Sequence, residues 1–205
     1  MNMTIFGATG RVGNEFLQLA LKDGHQVTAL ARTPSKLTPH ENLTVLEGDI
    51  RNLEIINEAI QGADAVFSAI GTDKTTTLTE AIPLIINAMH KAKVTRIITI
   101  GTAGILQSRT NPDLYRFQST ESKRRLTFAA EEHAKVYEQL AKTNLDWTIV
   151  CPTYLPDGNA TGEWRTERNF LPEGGVEISV GDTALFAYQE LLDPKFIRSR
   201  VGLAY

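Results

Sequence analysis

Residues Gly7-Ala8-Thr9-Gly10-Arg11-Val12-Gly13 form a G-x-x-G-x-x-G between a short apolar run, Met1–Phe6, and a helical pattern over Arg11–Lys22. Strand, glycine turn and helix in immediate succession leave the chain few folds to choose from. The first two glycines permit a tight turn and let backbone N–H groups approach a pyrophosphate at the helix N-terminus. The third allows close packing of helix on strand. The turn therefore nominates Gly7, Thr9, Gly10, Arg11, Val12 and Gly13 as contacts of a dinucleotide.

The rest of the chain repeats the alternation. Strand-like runs occur at Gln26–Ala31, Thr44–Leu46, Ala65–Ile70, Arg96–Ile100, Trp147–Cys151 and Val201–Ala204. Helical patterns occupy Leu53–Gln61, Leu78–Lys93, Phe128–Lys142 and a last segment from an Asp182 cap to Leu192. Pro83 should mark the first turn of its helix or kink it. Several strands are continuously apolar, as strands covered on both faces are. The expected fold is α/β: a Rossmann-like, doubly wound parallel sheet in one domain spanning residues 1–205. Two stretches resist assignment, Thr102–Thr127 and Thr153–Ser179. Both follow strand carboxyl ends, where open parallel sheets place their ligands, and both are expected to be substrate loops.

Composition enters by exclusion. With 42% hydrophobic residues and a net charge of -3, the chain is neither disordered nor drawn to nucleic acid or anionic lipid. Its one cysteine, Cys151, excludes a disulfide scaffold. No apolar run reaches the roughly 20 residues of a membrane span, and Met1–Phe6 lacks signal-peptide character. A soluble, cytoplasmic protein, monomeric or homodimeric, is expected. The four histidines, His25, His40, His90 and His133, lack ligand spacing, so no metal is expected. No nucleophile elbow, P-loop or His-Glu-x-x-His occurs.

Past strand two, a coenzyme with a free 2′-hydroxyl usually meets an acid about 20 residues beyond the glycines. Here the window reads Leu30-Ala31-Arg32-Thr33-Pro34-Ser35-Lys36. Arg32 and Lys36 suit a 2′-phosphate, which favours NADP(H) over NAD(H), unless both are ordinary solvated bases. Asp49, with Ile50, follows strand three, where a carboxylate can accept from the adenine amino group or cap the helix at Leu53. Ala69, Ile70 and Gly71 end strand four, where small residues let a coenzyme lie against backbone. Gly101-Thr102-Ala103-Gly104 ends strand five and offers the Thr102 hydroxyl toward the nicotinamide side.

Together, the glycine turn, Arg32, Gly48-Asp49, Ala69-Ile70-Gly71 and Ile100-Gly101-Thr102 resemble the atypical short-chain dehydrogenases/reductases. More narrowly, the chain resembles their NAD(P)H-binding, NmrA-like group, which includes biliverdin reductase B–flavin reductase-like proteins. The resemblance runs on through Glu132-His133-Ala134-Lys135, Leu145–Pro152 and Ile178–Asp182. It implies that Arg32 and Lys36 hold the 2′-phosphate, Asp49 and Ile50 flank the adenine, and Thr102 lies near the nicotinamide. It further implies that Cys151, Pro152, Thr153 and Tyr154 line the other side of that ring.

Typical members use a Tyr-x-x-x-Lys pair whose tyrosine donates a proton. None of the five tyrosines here has a lysine four residues on. Lys135 matches the lysine, and with Thr102 is the candidate catalytic residue, but Glu131 stands at the tyrosine position. Reduction of an isolated carbonyl needs a proton at the forming alkoxide. Flavins and quinones delocalise the incoming charge and take protons from water, so a planar small-molecule acceptor is expected. The expected function is hydride transfer from NADPH to such an acceptor; a non-catalytic NADP(H) sensor of the NmrA-like type is the alternative. Cys151 is expected to be a partly buried thiol beside the coenzyme, His133 a helix-face residue near the pocket, and Lys123-Arg124-Arg125 a solvated basic patch.

Overall fold

A computed structural model describes residues 1–72, 74–122 and 126–205. The basic triplet Lys123-Arg124-Arg125 lies outside the described residues. Five strands, β1 (Asn2–Phe6), β2 (Gln26–Ala31), β3 (Leu43–Glu47), β4 (Ala65–Ser68) and β5 (Arg96–Ile100), run parallel in the order β3-β2-β1-β4-β5. The sheet continues through β6 (Asp146–Pro152) and β8 (Ser199–Ala204), also parallel, and ends on β7 (Arg165–Arg168), antiparallel to β8. The helices are α1 (Arg11–Lys22), α2 (Leu53–Ile60), α3 (Thr77–Ala92), α4 (Phe128–Leu140) and α5 (Val180–Leu192).

Strand alternation sorts the apolar residues to two cores. Met3 and Ile5 of β1 pack with Phe16, Leu17 and Ala20 of α1 and Ala184 and Ala187 of α5. Phe6 points the other way, among Ile56 and Ile60 of α2, Ile82 and Ile85 of α3, and Val136 and Leu140 of α4. The sheet is thus covered on both faces, as its continuously apolar strands demand.

Register sets the site. Phe6 lies opposite Leu30 on one side and Ser68 on the other, so β1, β2 and β4 end at one level. The turns that follow them converge on the same sheet edge.

Four local expectations are revised. The α5 cap is Ser179, whose Oγ accepts from the Asp182 amide at 3.0 Å; Asp182 sits inside the first turn with its carboxylate buried. Asn52, not Asp49, caps α2, accepting from the Glu54 amide at 2.9 Å. Pro83 lies past the first turn of α3, in the helix interior, which removes the first of its two expected places. β6 runs one residue past the expected Cys151 and ends on Pro152, opposite Leu203 of β8.

The two stretches expected to be irregular carry short elements. The first holds 3-10 turns at Ala103–Ile105 and Arg116–Gln118 and a bridge between Gln107 and Tyr115. The second holds β7 and a bridge between Tyr154 and Glu177.

Candidate functional site

Gly7 adopts φ +86°, and a Cβ on it would lie 2.5 Å from the Ala69 carbonyl oxygen. A Cβ on Gly13 would lie 2.0 Å from the Gly7 carbonyl oxygen, so α1 rests directly on the turn. Gly10 closes the turn by donating its N–H to the Gly7 carbonyl at 3.0 Å and stands as N-cap of α1. No side chain among the described residues caps α1, so its first N–H groups face outward, at the positive end of the helix dipole. A backbone cradle with open donors is what a pyrophosphate requires.

Beside this turn lies a cavity of about 270 Å³. It is walled by Phe6, Gly7, Thr9 and Gly10 from the first unit, Leu30, Ala31 and Arg32 from the second, Gly48, Asp49, Ile50 and Arg51 from the third, and Ala69, Ile70, Gly71 and Thr77 from the fourth. Nine residues nominated from sequence meet here: Gly7, Thr9, Gly10, Arg32, Asp49, Ile50, Ala69, Ile70 and Gly71. Val12 and Gly13 are buried beneath the turn and can offer only backbone.

Asp49 makes a tight local pair. Arg51 donates Nε to Oδ1 at 3.0 Å and Nη2 to Oδ2 at 2.7 Å, while its amide donates to Oδ1 at 2.9 Å. The side-chain hydrogen bonds from Arg51 come first in holding the Asp49 carboxyl down to about 2, and the nearby Arg32 adds to the effect.

Lys36 and Arg11 line a neighbouring groove of about 660 Å³ on the other side of the turn, with Asn14, Glu15, Thr38, Asp157, Gly158, Asn159 and Val180. The two bases expected to share a 2′-phosphate therefore face different depressions. Arg32 faces the cavity, whereas Lys36 faces the groove. Arg11 spans the groove, donating to the Leu155 carbonyl at 3.0 Å and the Asp157 carboxylate at 2.8 Å.

The nicotinamide-side nominees lie off the cavity wall. Thr102 is half-buried, and its Oγ1 accepts from the Gly104 amide at 3.4 Å. Cys151 is fully buried rather than partly so, and burial pushes its thiol up to about 12. Strand alternation explains this, because Cys151 shares a face of β6 with the buried Ile149 and Trp147. Pro152 is buried in the sheet, Thr153 Oγ1 donates to the Val176 carbonyl, and Tyr154 is exposed beside its bridge to Glu177.

The residues at the family's catalytic positions are engaged. Lys135 is exposed, and Nζ donates to Glu132 Oε1 at 2.8 Å; that hydrogen bond raises its pKa. Glu132, fully buried, also accepts from Thr79 of α3. Glu131, at the tyrosine position, accepts from Thr127 Oγ1 at 2.6 Å. His133 is half-buried, and desolvation lowers its imidazole to about 4, which leaves it neutral near pH 7.

Sequence reading misses Arg51 and Thr77. Arg51 follows Gly48-Asp49-Ile50 directly, and that adjacency is the signal that could have found it. Thr77 has no such signal, because only packing brings the start of α3 to the cavity.

Solved structures share the whole architecture. A proposed epimerase from Bacteroides thetaiotaomicron is 30% identical, with TM-score 0.86 over 100% of this chain and 96% of that one. A proposed NADH-flavin reductase from Streptococcus pneumoniae is 24% identical, with TM-score 0.85 over 100% and 99%. A short-chain dehydrogenase/reductase from Veillonella parvula in complex with NADP is 20% identical, with TM-score 0.80 over 100% and 94%. The NAD(P)H-binding family matches residues 7–194. With its glycine cradle, uncapped helix start and convergent strand ends, this chain belongs to the NAD(P)H-binding family.

Proposed function

We propose that this chain is a reductase that takes NADPH in the cavity beside the glycine turn and serves a planar, conjugated acceptor such as a flavin or quinone. The observation that carries the reading is a contrast between the glycine turn and the start of α4. The glycine turn packs as a dinucleotide cradle would need, while the position of the usual proton-donating tyrosine holds Glu131, bound to Thr127, and Lys135 is bound to Glu132.

Each residue has a part. The α1 N–H groups, with Gly7 and Gly10, would hold the pyrophosphate; Asp49 and Ile50 would border the adenine; Arg32 would face the 2′-phosphate. The bound nicotinamide supplies a hydride. Around it, the segments after β5 and β6 would stack the acceptor and exclude competing geometries. A conjugated ring needs no protein acid at the moment of reduction, so the engaged Glu131 is no handicap. The pneumococcal neighbour's description as a flavin reductase agrees with this acceptor class. No helix among the described residues is long and apolar enough to cross a membrane.

The engaged Lys135 and Glu131 equally suit a binding protein that reads the NADP(H) state without turning it over. Loss of reduced-nicotinamide absorbance with added FMN, and with a quinone, separates the two. Turnover with at least one acceptor is expected. Tight NADPH binding without turnover across both acceptor classes would assign the chain to the sensor reading.

A further inference from the structure

Asp49 sets a problem for a coenzyme with a 2′-phosphate. It lies on the same cavity wall as Arg32, because Gly48 donates to the Ala31 carbonyl at 3.1 Å and holds the ends of β2 and β3 together. A carboxylate at the adenosine end of such a cleft suits a free ribose hydroxyl and repels a phosphate of charge roughly -1.5 to -2.

Arg51 answers it. Its guanidinium clasps both Asp49 oxygens in a planar, two-point contact, at 3.0 and 2.7 Å, and the remaining nitrogen, Nη1, lies 3.8 Å from Glu80 Oε2. Arg51 itself lines the cavity. Without it, Arg32 alone would offset the Asp49 carboxylate on this wall.

We propose that Arg51 is the coenzyme-selecting partner of Arg32. By neutralising Asp49 and turning toward Glu80, it makes the corner accept a 2′-phosphate that the bare acids would reject. The inference rests on the reading of the cavity as an NADPH site, and it adds a selecting residue that neither the glycine motif nor the strand-two window contains.

The test is direct binding of NADPH and of NADH, by fluorescence titration, to the native chain, Arg51→Gln, Arg51→Lys and Arg51→Gln with Asp49→Asn. Losing one charge-assisted contact should weaken NADPH binding on the order of tenfold in Arg51→Gln and leave NADH within about threefold. Arg51→Lys should keep most of the preference because the charge stays. Asp49→Asn in the Arg51→Gln background should restore most of the NADPH affinity, because the repelling acid is gone. The ratio of the two affinities within one sample does not depend on how much of the variant is folded. Equal losses for both coenzymes, an unchanged ratio, or no rescue by Asp49→Asn would overturn the role of Arg51 alone. If the native chain binds neither coenzyme, the NADPH-site reading itself fails.

Discussion

Arg32 follows β2 directly, exposed on the cavity wall and close enough to Asp49 to help keep that acid ionised. Its counterpart in the strand-two window, Lys36, faces the groove across the turn. Of these two bases, Arg32 is the one that lines the cavity. Arg32→Glu replaces attraction with repulsion. NADPH binding should weaken on the order of a hundredfold or more, the sum of a lost and an inverted charge contact, with NADH changed far less. Parallel titrations of the two coenzymes check this, and equal losses would remove Arg32 from the coenzyme site. The thiol of Cys151 stands in contrast: buried and held protonated, it is packing rather than chemistry.

The decisive element is the β1–turn–α1 unit. Gly13 allows the first turn of α1 to rest on the Gly7 carbonyl, with no room for even a methyl group. Gly13→Ala must push helix from strand, at a cost of about 1–3 kcal/mol by the measure of overpacked cores. A drop in the urea midpoint should appear together with loss of coenzyme binding, because the same displacement spreads the N–H cradle. Stability and affinity both unchanged in Gly13→Ala would mean that the helix does not sit this tightly. This unit is fully legible in the sequence, since its geometry is a backbone demand that only glycine meets. β7 is not. Arg165-Thr166-Glu167-Arg168 shows no apolar alternation, and its strand form comes from pairing with β8, far along the chain. Arg51 is missed for a different reason, because its contact folds back two residues onto Asp49 and shows as adjacency rather than as periodicity. Cys151 is misplaced because proximity in sequence to a site says nothing about which face of β6 a side chain takes.

At the scale of the molecule, distant segments are tied at buried acids. The Asp182 carboxylate accepts from the Thr161 amide and hydroxyl, the Gly162 amide, Ser179 Oγ and the Tyr205 hydroxyl, the last at 2.6 Å. Burial alone would raise this carboxyl, but the Tyr205, Gly162 and Thr161 donors outweigh it and hold it below its ordinary value. A carboxyl lowered in the folded state stabilises above its unfolded pKa, and that contribution is lost as pH falls through the folded value. Asp182→Asn should therefore cost about 1–3 kcal/mol near neutral pH. The difference in urea midpoint from the native chain should shrink below about pH 5 and keep shrinking through the ordinary carboxyl range near about 3.9. A difference that stays constant with acidification would show that the proton plays no part. The parallel, doubly wound core and the use of its carboxyl edge follow from the alternation of apolar runs and helical patterns. The knots at Asp182 and at Glu190, which gathers Arg96 and the amides of Lys195 and Phe196, do not, because they join residues with no sequence relation.

The placing of β8 has a consequence in time. Residues Ser199–Ala204 form an interior strand, between β6 and β7, and Tyr205 locks onto the start of α5. As the chain is synthesised, β7 emerges before the strand it needs, and α5 before the residue that fastens it. The sheet can close on this side only when the segment through residue 205 is free. Until then the carboxyl half of the molecule is held open at β6, whose unpaired edge is the place where a nascent chain would need shielding from wrong partners. A stop signal just before Ser199 would remove β8 and leave the sheet broken through its interior.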